Sequence, residues 1–204
     1  PLVELADKSL IQYSLDTAMK LQPERIVLVT GYKKDEIKKH VLANNPGDFI
    51  FCEQKERLGT GHAVKQAAQY LPENGKTIVL YSDVPLVSEK TLKKLIKSAN
   101  RKKLSILTAN KDKPKGYGRI IRNDDNQPLL IREEQDATRE EKNIKEIFSG
   151  IMIADNDFLQ KGLKSLVRNN AAGEYYLTDL VEFASTRQYK IGSTHAQELE
   201  ILGA

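Results

Sequence analysis

Apolar positions along the chain fall into two alternating rhythms. Short unbroken runs, such as Ile26-Val27-Leu28-Val29, Phe49-Ile50-Phe51-Cys52 and Ile78-Val79-Leu80, are separated by stretches where apolar residues return every three or four positions. Continuous runs rich in β-branched residues suit strands of a parallel sheet covered on both faces, and the longer spacing suits amphipathic helices. The pattern predicts an extended piece and turn at 1–8, then a helix at 9–21, with Ser9 as N-cap and Leu10, Ile11, Leu15, Ala18 and Met19 on its apolar face. Pro23 ends that helix. A buried strand at 25–31, a helix at 35–43, a strand at 49–53 and a helix at 61–71 follow. After the strand that begins at Thr77 come a helix at 88–100, N-capped by Ser88, and a strand at 104–108. Regular alternation of this kind is the mark of an α/β fold with a doubly wound, mostly parallel sheet.

The second half has a different rhythm. Residues 116–121 and 129–133 read as a strand pair joined by the turn Asn123-Asp124-Asp125-Asn126. A polar stretch at 134–143 precedes an apolar strand at 147–154, helices at 156–167 and 176–187, and a last strand at 188–194. One domain is expected, its second half adding a ligand-facing lobe.

The stretch Thr77-Ile78-Val79-Leu80-Tyr81-Ser82-Asp83-Val84-Pro85-Leu86 organises the rest. Proline cannot donate to a ladder, so Pro85 marks the strand's end and leaves Asp83 at the C-terminal edge of a central strand. Ligands bind at that edge in open α/β sheets, and a carboxylate there either holds Mg²⁺ or caps the turn. In Gln54-Lys55-Glu56-Arg57-Leu58-Gly59-Thr60-Gly61-His62-Ala63, two glycines flank a threonine between a strand and a helix. They permit close backbone approach and leave amides at the helix start, suited to a phosphate or the edge of a base, or else form an ordinary capped loop with His62 as a structural donor. Gly118, in Gly116-Tyr117-Gly118-Arg119, would let a ligand near the backbone while Arg119 buttresses the loop. Gly173-Glu174-Tyr175-Tyr176-Leu177-Thr178-Asp179 opens a helix with dense polar aromatics, and taken alone reads as a capping box with core tyrosines.

Composition narrows the classes. With 204 residues, 40% hydrophobic and 29% charged, the chain suits one soluble globular domain with a sizeable core. The net charge of +4 is dispersed, with no basic run of the kind that grips nucleic acid. No apolar stretch approaches the roughly 20 residues of a membrane span, and no signal peptide is visible. The single cysteine, Cys52, excludes an internal disulfide and fits a reducing cytoplasm. Oligomeric state is not legible.

Taken in order, the motifs around Gly59, Asp83, Gly118 and Tyr176 are far more specific than any one alone. From about Leu5 onward the chain resembles the uridylyltransferase domain of bacterial N-acetylglucosamine-1-phosphate uridylyltransferases, in the sugar-nucleotidyltransferase superfamily. The resemblance implies a Rossmann-like domain over 1–204, its nucleotide-binding part at about 1–110 and its sugar-facing part at about 111–204. Its small-molecule substrates would be UTP and a sugar 1-phosphate, its cofactor Mg²⁺, and its product a precursor for the cell wall. By position, Gln54 would bond uracil with Gly59 and Thr60 beside it, Asp83 would hold Mg²⁺ as the catalytic carboxylate, and Tyr81 would line the sugar site. Gly118, Glu133, Tyr176 and Thr178 would contact the sugar.

Three departures accompany the likeness. The family's glycine-rich loop would precede residue 1, and its second Mg²⁺ ligand, an asparagine, would follow the segment at 200–204. The chain as given is therefore expected to be incomplete at both ends and to show little turnover. Phe148 stands where the family usually has an asparagine that contacts the sugar, which leaves open a different sugar 1-phosphate or a non-catalytic nucleotide-sugar-binding module.

Overall fold

A computed structural model of the chain describes residues 1–203; Ala204, the last position of the expected domain and of the 200–204 segment, lies outside them. The elements in order are β1 (Glu4–Leu5), β2 (Lys8–Ser9), α1 (Leu10–Lys20), β3 (Ile26–Thr30), α2 (Lys34–Asn44), β4 (Phe49–Glu53), α3 (Thr60–Ala67) and β5 (Lys76–Val79). They continue with α4 (Glu89–Ser98), β6 (Leu104–Asn110), β7 (Arg119–Arg122), β8 (Pro128–Arg132), β9 (Glu146–Asp155), α5 (Asn156–Ser165), α6 (Asp179–Thr186) and β10 (Ile191–His195).

The main sheet runs β10-β6-β9-β7-β8, with β5 also on β9. β9 is its backbone, ten residues long and buried at all but its two ends. One edge of β9 pairs with β6 at both ends, with a register shift between Ile106 and Thr108 opposite the stretch that holds Gly150. The other edge forks: β5 takes the C-terminal half, from Met152 to Asp155, and β7 joins at Ile147. Side chains alternate across the sheet as the strand period requires. Phe148, Met152 and Ala154 face a core that also holds Phe158, Leu159 and Leu163 of α5 and Leu180, Val181 and Ala184 of α6. Ile147, Ile151 and Ile153 face the opposite core, closed by Leu92, Leu95 and Ala99 around α4. Each fully buried leucine in these cores contributes about 1.5–3 kcal/mol.

The α/β class and nearly all elements stand where the apolar pattern put them, with four corrections. β5 pairs antiparallel to β9, and among the described residues it is bonded on that side only, whereas a central parallel strand was expected. An apolar run reports burial on both faces but not the direction of its neighbour. The sheet is accordingly mixed: β5, β6 and β10 run one way with β9 reversed among them. The strand expected to be buried at 25–31 is mostly half-buried, because β3 and β4 form a separate two-stranded parallel sheet backed by Ile11, Leu15, Ile37 and Val41 of α1 and α2. Ser88 caps α4 as expected, accepting from the Thr91 amide at 3.2 Å, but Ser9 makes no cap bond and its hydroxyl lies 2.8 Å from His40 Nε2.

Candidate active site

The site grows from the fork in β9. Gly150 sits between the divergence of β5 and β7 with φ +87°, a conformation that favours glycine, and a Cβ there would come within 2.8 Å of the Tyr81 ring. Tyr81, just beyond β5, therefore packs its ring against the backbone of β9 at Gly150. Burial pushes its hydroxyl well above the usual range, opposed by a hydrogen bond with Thr60, and the negative charges of Glu133 and Asp83 push the same way as burial. This one ring thus stands within electrostatic reach of Asp83, which lies in a turn four residues past the end of β5, of Thr60 in the glycine loop and of Glu133 just after β8.

The glycine loop and the tyrosine motif are zipped together. The Tyr175 amide donates to Leu58 O at 2.8 Å, the Gly61 amide to Tyr175 O at 2.8 Å, and the Leu177 amide to Thr60 Oγ1 at 3.1 Å. Gly59 has φ +100°, and a Cβ on it would lie 2.7 Å from Tyr175 O. Glycine is required at this position by both conformation and space. The zipper also corrects two expectations. The Gly61 amide is consumed by Tyr175 and is not left for a ligand, and α6 begins at Asp179 because the backbone from Tyr175 to Leu177 is engaged by the loop.

Gln54 follows β4, its amide hydrogen bonded to Thr30 O at 2.7 Å. Its side-chain Nε2 donates to Gly59 O at 3.0 Å and lies 3.1 Å from His62 Nδ1. Also near Tyr81, Thr178 donates to Glu133 Oε1 at 2.8 Å. Burial raises the Glu133 carboxyl above its usual range, and the Thr178 bond opposes that rise. Gly118 closes on the same group: a Cβ there would meet Ile131 Cγ2 at 2.7 Å and Glu133 Oε2 at 3.4 Å. Arg119 is 1% exposed and does hold the preceding loop, through Glu134 at 2.6 Å and the Tyr117 carbonyl, while Glu134 accepts from the Gly116 amide at 3.1 Å.

Tyr176 lies beside Asp136; burial and then the Asp136 charge push its hydroxyl up to about 12. Two carboxyls that the sequence did not single out complete the cluster. Asp136 has a buried oxygen without a partner among the described residues, and Asp179 is pushed up to about 6 by burial and by Glu182, Glu133 and Asp136. Neither was legible, because an acid in a polar stretch or at a helix start carries no signal until the fold gathers it to others.

Asp83 stands apart in a turn past β5, exposed, with no ion pair or hydrogen bond from its side chain among the described residues. The segment after β10 folds back over this loop: Glu200 accepts from the Ser88 amide at 3.1 Å and from Thr91 Oγ1 at 2.8 Å, and Gly203 packs near the Asp83 carbonyl. Among the described residues no group of three or more His, Cys, Asp or Glu could hold a metal by itself. A lone unpaired carboxylate does suit Mg²⁺, which takes one or two protein oxygens and fills its remaining positions with phosphates and water. Phe148, by contrast, is core. Only 6% of it is exposed, it packs with Ile120, Ile131 and Leu177, and its amide donates to Gly118 O at 2.9 Å. No described helix is long and apolar enough to cross a membrane.

Comparison with known proteins agrees with this architecture. Residues 1–146 match the MobA-like NTP transferase domain. The chain is 40% identical over 200 residues to the bifunctional protein GlmU of Idiomarina loihiensis, covering 97% of the chain and 43% of that protein. Against the bifunctional protein GlmU of Francisella tularensis subsp. novicida it is 42% identical, covering 98% and 43%. The chain thus spans less than half the length of these curated relatives. Its fold is similar to that of a UDP-glucose pyrophosphorylase complexed with UDP-glucose, with TM-score 0.77, 18% identity and coverage of 94% of this chain and 81% of that one. HddC from Yersinia pseudotuberculosis complexed with GMP-PN is similar at TM-score 0.68 and 24% identity, covering 96% and 80%.

Proposed function

Because the chain belongs to the MobA-like NTP transferase family, we propose that its site serves transfer of a uridylyl group from UTP to N-acetylglucosamine 1-phosphate, with release of pyrophosphate. The observation that carries this reading is the zipper between the 58–61 loop and the 175–177 segment. It supports a continuous groove with Gln54, Gly59 and Thr60 on the base side of Tyr81 and with Gly118, Glu133, Tyr176 and Thr178 on the sugar side.

In this reading Gln54 bonds the uracil edge and Gly59 lets the base lie against the backbone. Glu133, held by Thr178, accepts from sugar hydroxyls, and Gly118 keeps the wall thin enough for the ring to reach it. Tyr81 forms the floor between the two halves. A phosphate oxygen of the sugar 1-phosphate attacks the α-phosphorus in line, so the protein's task is alignment, with no nucleophile of its own. Asp83 would hold Mg²⁺, which when bound neutralises charge on the phosphates.

A second reading, in which the sugar lacks an acetamido group, is favoured by one observation: Phe148 is buried and apolar and gives such a group no hydrogen bond. Calorimetric titration of the chain with UDP-N-acetylglucosamine, UDP-glucose and TDP-glucose, with and without Mg²⁺, separates the two. Selective binding of the acetamido sugar is expected. Equal binding of all uridine sugars would move the assignment to the second reading, and no binding of any would contradict both.

A further inference from the structure

We infer that His62 is a positioning residue that fixes the Gln54 side-chain amide, so that only its oxygen faces the base and the site takes uridine over cytidine. The inference rests on the base-side reading of Gln54 proposed above and adds the reason for its selectivity.

The side-chain nitrogens of Gln54 and Gln66 face the two ring nitrogens of His62, and a neutral imidazole can accept from only one of them. Gln54 Nε2 lies 3.0 Å from the Gly59 carbonyl, which can only accept, so the amide nitrogen must face that way. Its second hydrogen points at His62 Nδ1, 3.1 Å away, which must then present a lone pair. A neutral imidazole with an unprotonated Nδ1 carries its proton on Nε2. The Gln66 amide nitrogen lies 3.0 Å from Nε2 and 3.4 Å from the His62 carbonyl. Because Nε2 holds the ring proton, and because the 3.0 Å bond from Gln54 to Gly59 is shorter than the 3.4 Å one from Gln66 to His62, it is Gln66 that turns its oxygen toward Nε2–H. The ring's own orientation is restrained by stacking on Tyr175, with centroids 6.1 Å apart and planes within 25°.

Both hydrogens of the Gln54 amide are thereby committed to protein, and Oε1 has no partner among the described residues. A base meeting this amide finds an acceptor. Uracil, with a ring N3–H next to a carbonyl, satisfies it. Cytosine at the same position places the lone pair of its N3 against Oε1, and its 4-amino donor stands where uracil has its carbonyl, so it meets this acceptor only if the base shifts. Rotating the amide to suit cytosine would turn Oε1 onto the Gly59 carbonyl and the His62 lone pair at once. Sites built on such committed groups reject the mismatched ligand because buried polar atoms would go unpaired.

The test titrates UDP and CDP into the wild-type chain, His62→Leu and His62→Asn. Asparagine keeps an acceptor at the δ position; leucine removes it. The wild type should prefer UDP by about tenfold, His62→Leu should shrink that ratio by about fivefold, and His62→Asn should restore most of it. An unchanged ratio in a folded His62→Leu protein would overturn the positioning role while leaving the base site standing. No UDP preference in the wild type would overturn the base-side reading and this inference together. Because the leucine variant could fail to fold, a long-range proton–nitrogen NMR spectrum of the wild-type imidazole supplies an independent readout. An Nε2–H tautomer is expected, and an Nδ1–H tautomer would overturn the inference without any variant.

Discussion

Thr178 and Glu133 are joined by a 2.8 Å hydrogen bond that ties the start of α6 to the end of β8. The two residues are 45 positions apart in sequence, and the bond serves the carboxylate rather than the helix, since Thr178 stands at the N-cap position without making a cap bond. Thr178→Val keeps the shape and removes the donor. Stability should fall by about 1–2 kcal/mol, and the Glu133 carboxyl, already raised by burial, should rise further. Sugar-nucleotide affinity should drop about five- to tenfold by calorimetry.

Gly59 offers a backbone test. With φ +100° and only 2.7 Å between the place an added methyl would take and Tyr175 O, Gly59→Ala is strained in two ways. Urea unfolding should show a loss of about 2–3 kcal/mol, and nucleotide binding should weaken along with the zipper. A loss under about 0.5 kcal/mol would mean that the loop is not held against the Tyr175 segment.

How far the sequence could be read depended on the kind of signal. The run Phe49-Ile50-Phe51-Cys52-Glu53 and the Ser88 cap are local, since strand and helix-start chemistry is written in neighbouring residues, and both stand as expected. The direction of β5 is not local. Ile78 and Val79 read the same whether β9 lies parallel or antiparallel beside them. Asp83, the Gly59-Thr60 loop and Gly118 were legible from strand-end and glycine chemistry, whereas the roles of Gln54, Tyr81, Glu133, Tyr176 and Thr178 came only from a resemblance in motif order. The sequence could not show that the Gly61 amide is consumed by Tyr175. Asp136 and Asp179 went unseen because only the fold brings their charges near Glu133. Ser9 misled for a similar reason, since its hydroxyl found a long-range partner in His40.

Asp179 gives a pH prediction. Its carboxyl binds a proton more tightly when folded, near pH 6, than at its reference value of 3.8, so its ionisation opposes folding. That cost is absent below about pH 4, grows between the two values and is complete above about pH 6. Asp179→Asn should therefore stabilise the chain at pH 7.5 by about 1 kcal/mol, allowing for solvent screening at a half-buried site, and leave it unchanged at pH 3.5. Thermal melts of both proteins across that range check the sign; a variant less stable at pH 7.5 would contradict it.

Phe148 is predicted to act through packing. Phe148→Ala should cost about 3–4 kcal/mol and Phe148→Leu about 1 kcal/mol, measured by denaturant unfolding. A negligible cost for alanine would mean that the ring is not part of the core it shares with Ile120, Ile131 and Leu177.

The central claim is that one groove, from Gln54 past Tyr81 to Glu133, takes a nucleotide sugar. Amide-shift mapping by NMR on titration with UDP-N-acetylglucosamine tests it most directly. The largest changes should fall on Gln54, Gly59, Thr60, Gly118, Glu133 and Tyr176. Changes confined to the basic groove of Lys103, Lys161, Lys164 and Arg187 near α5 and α6, with none at those residues, would contradict it.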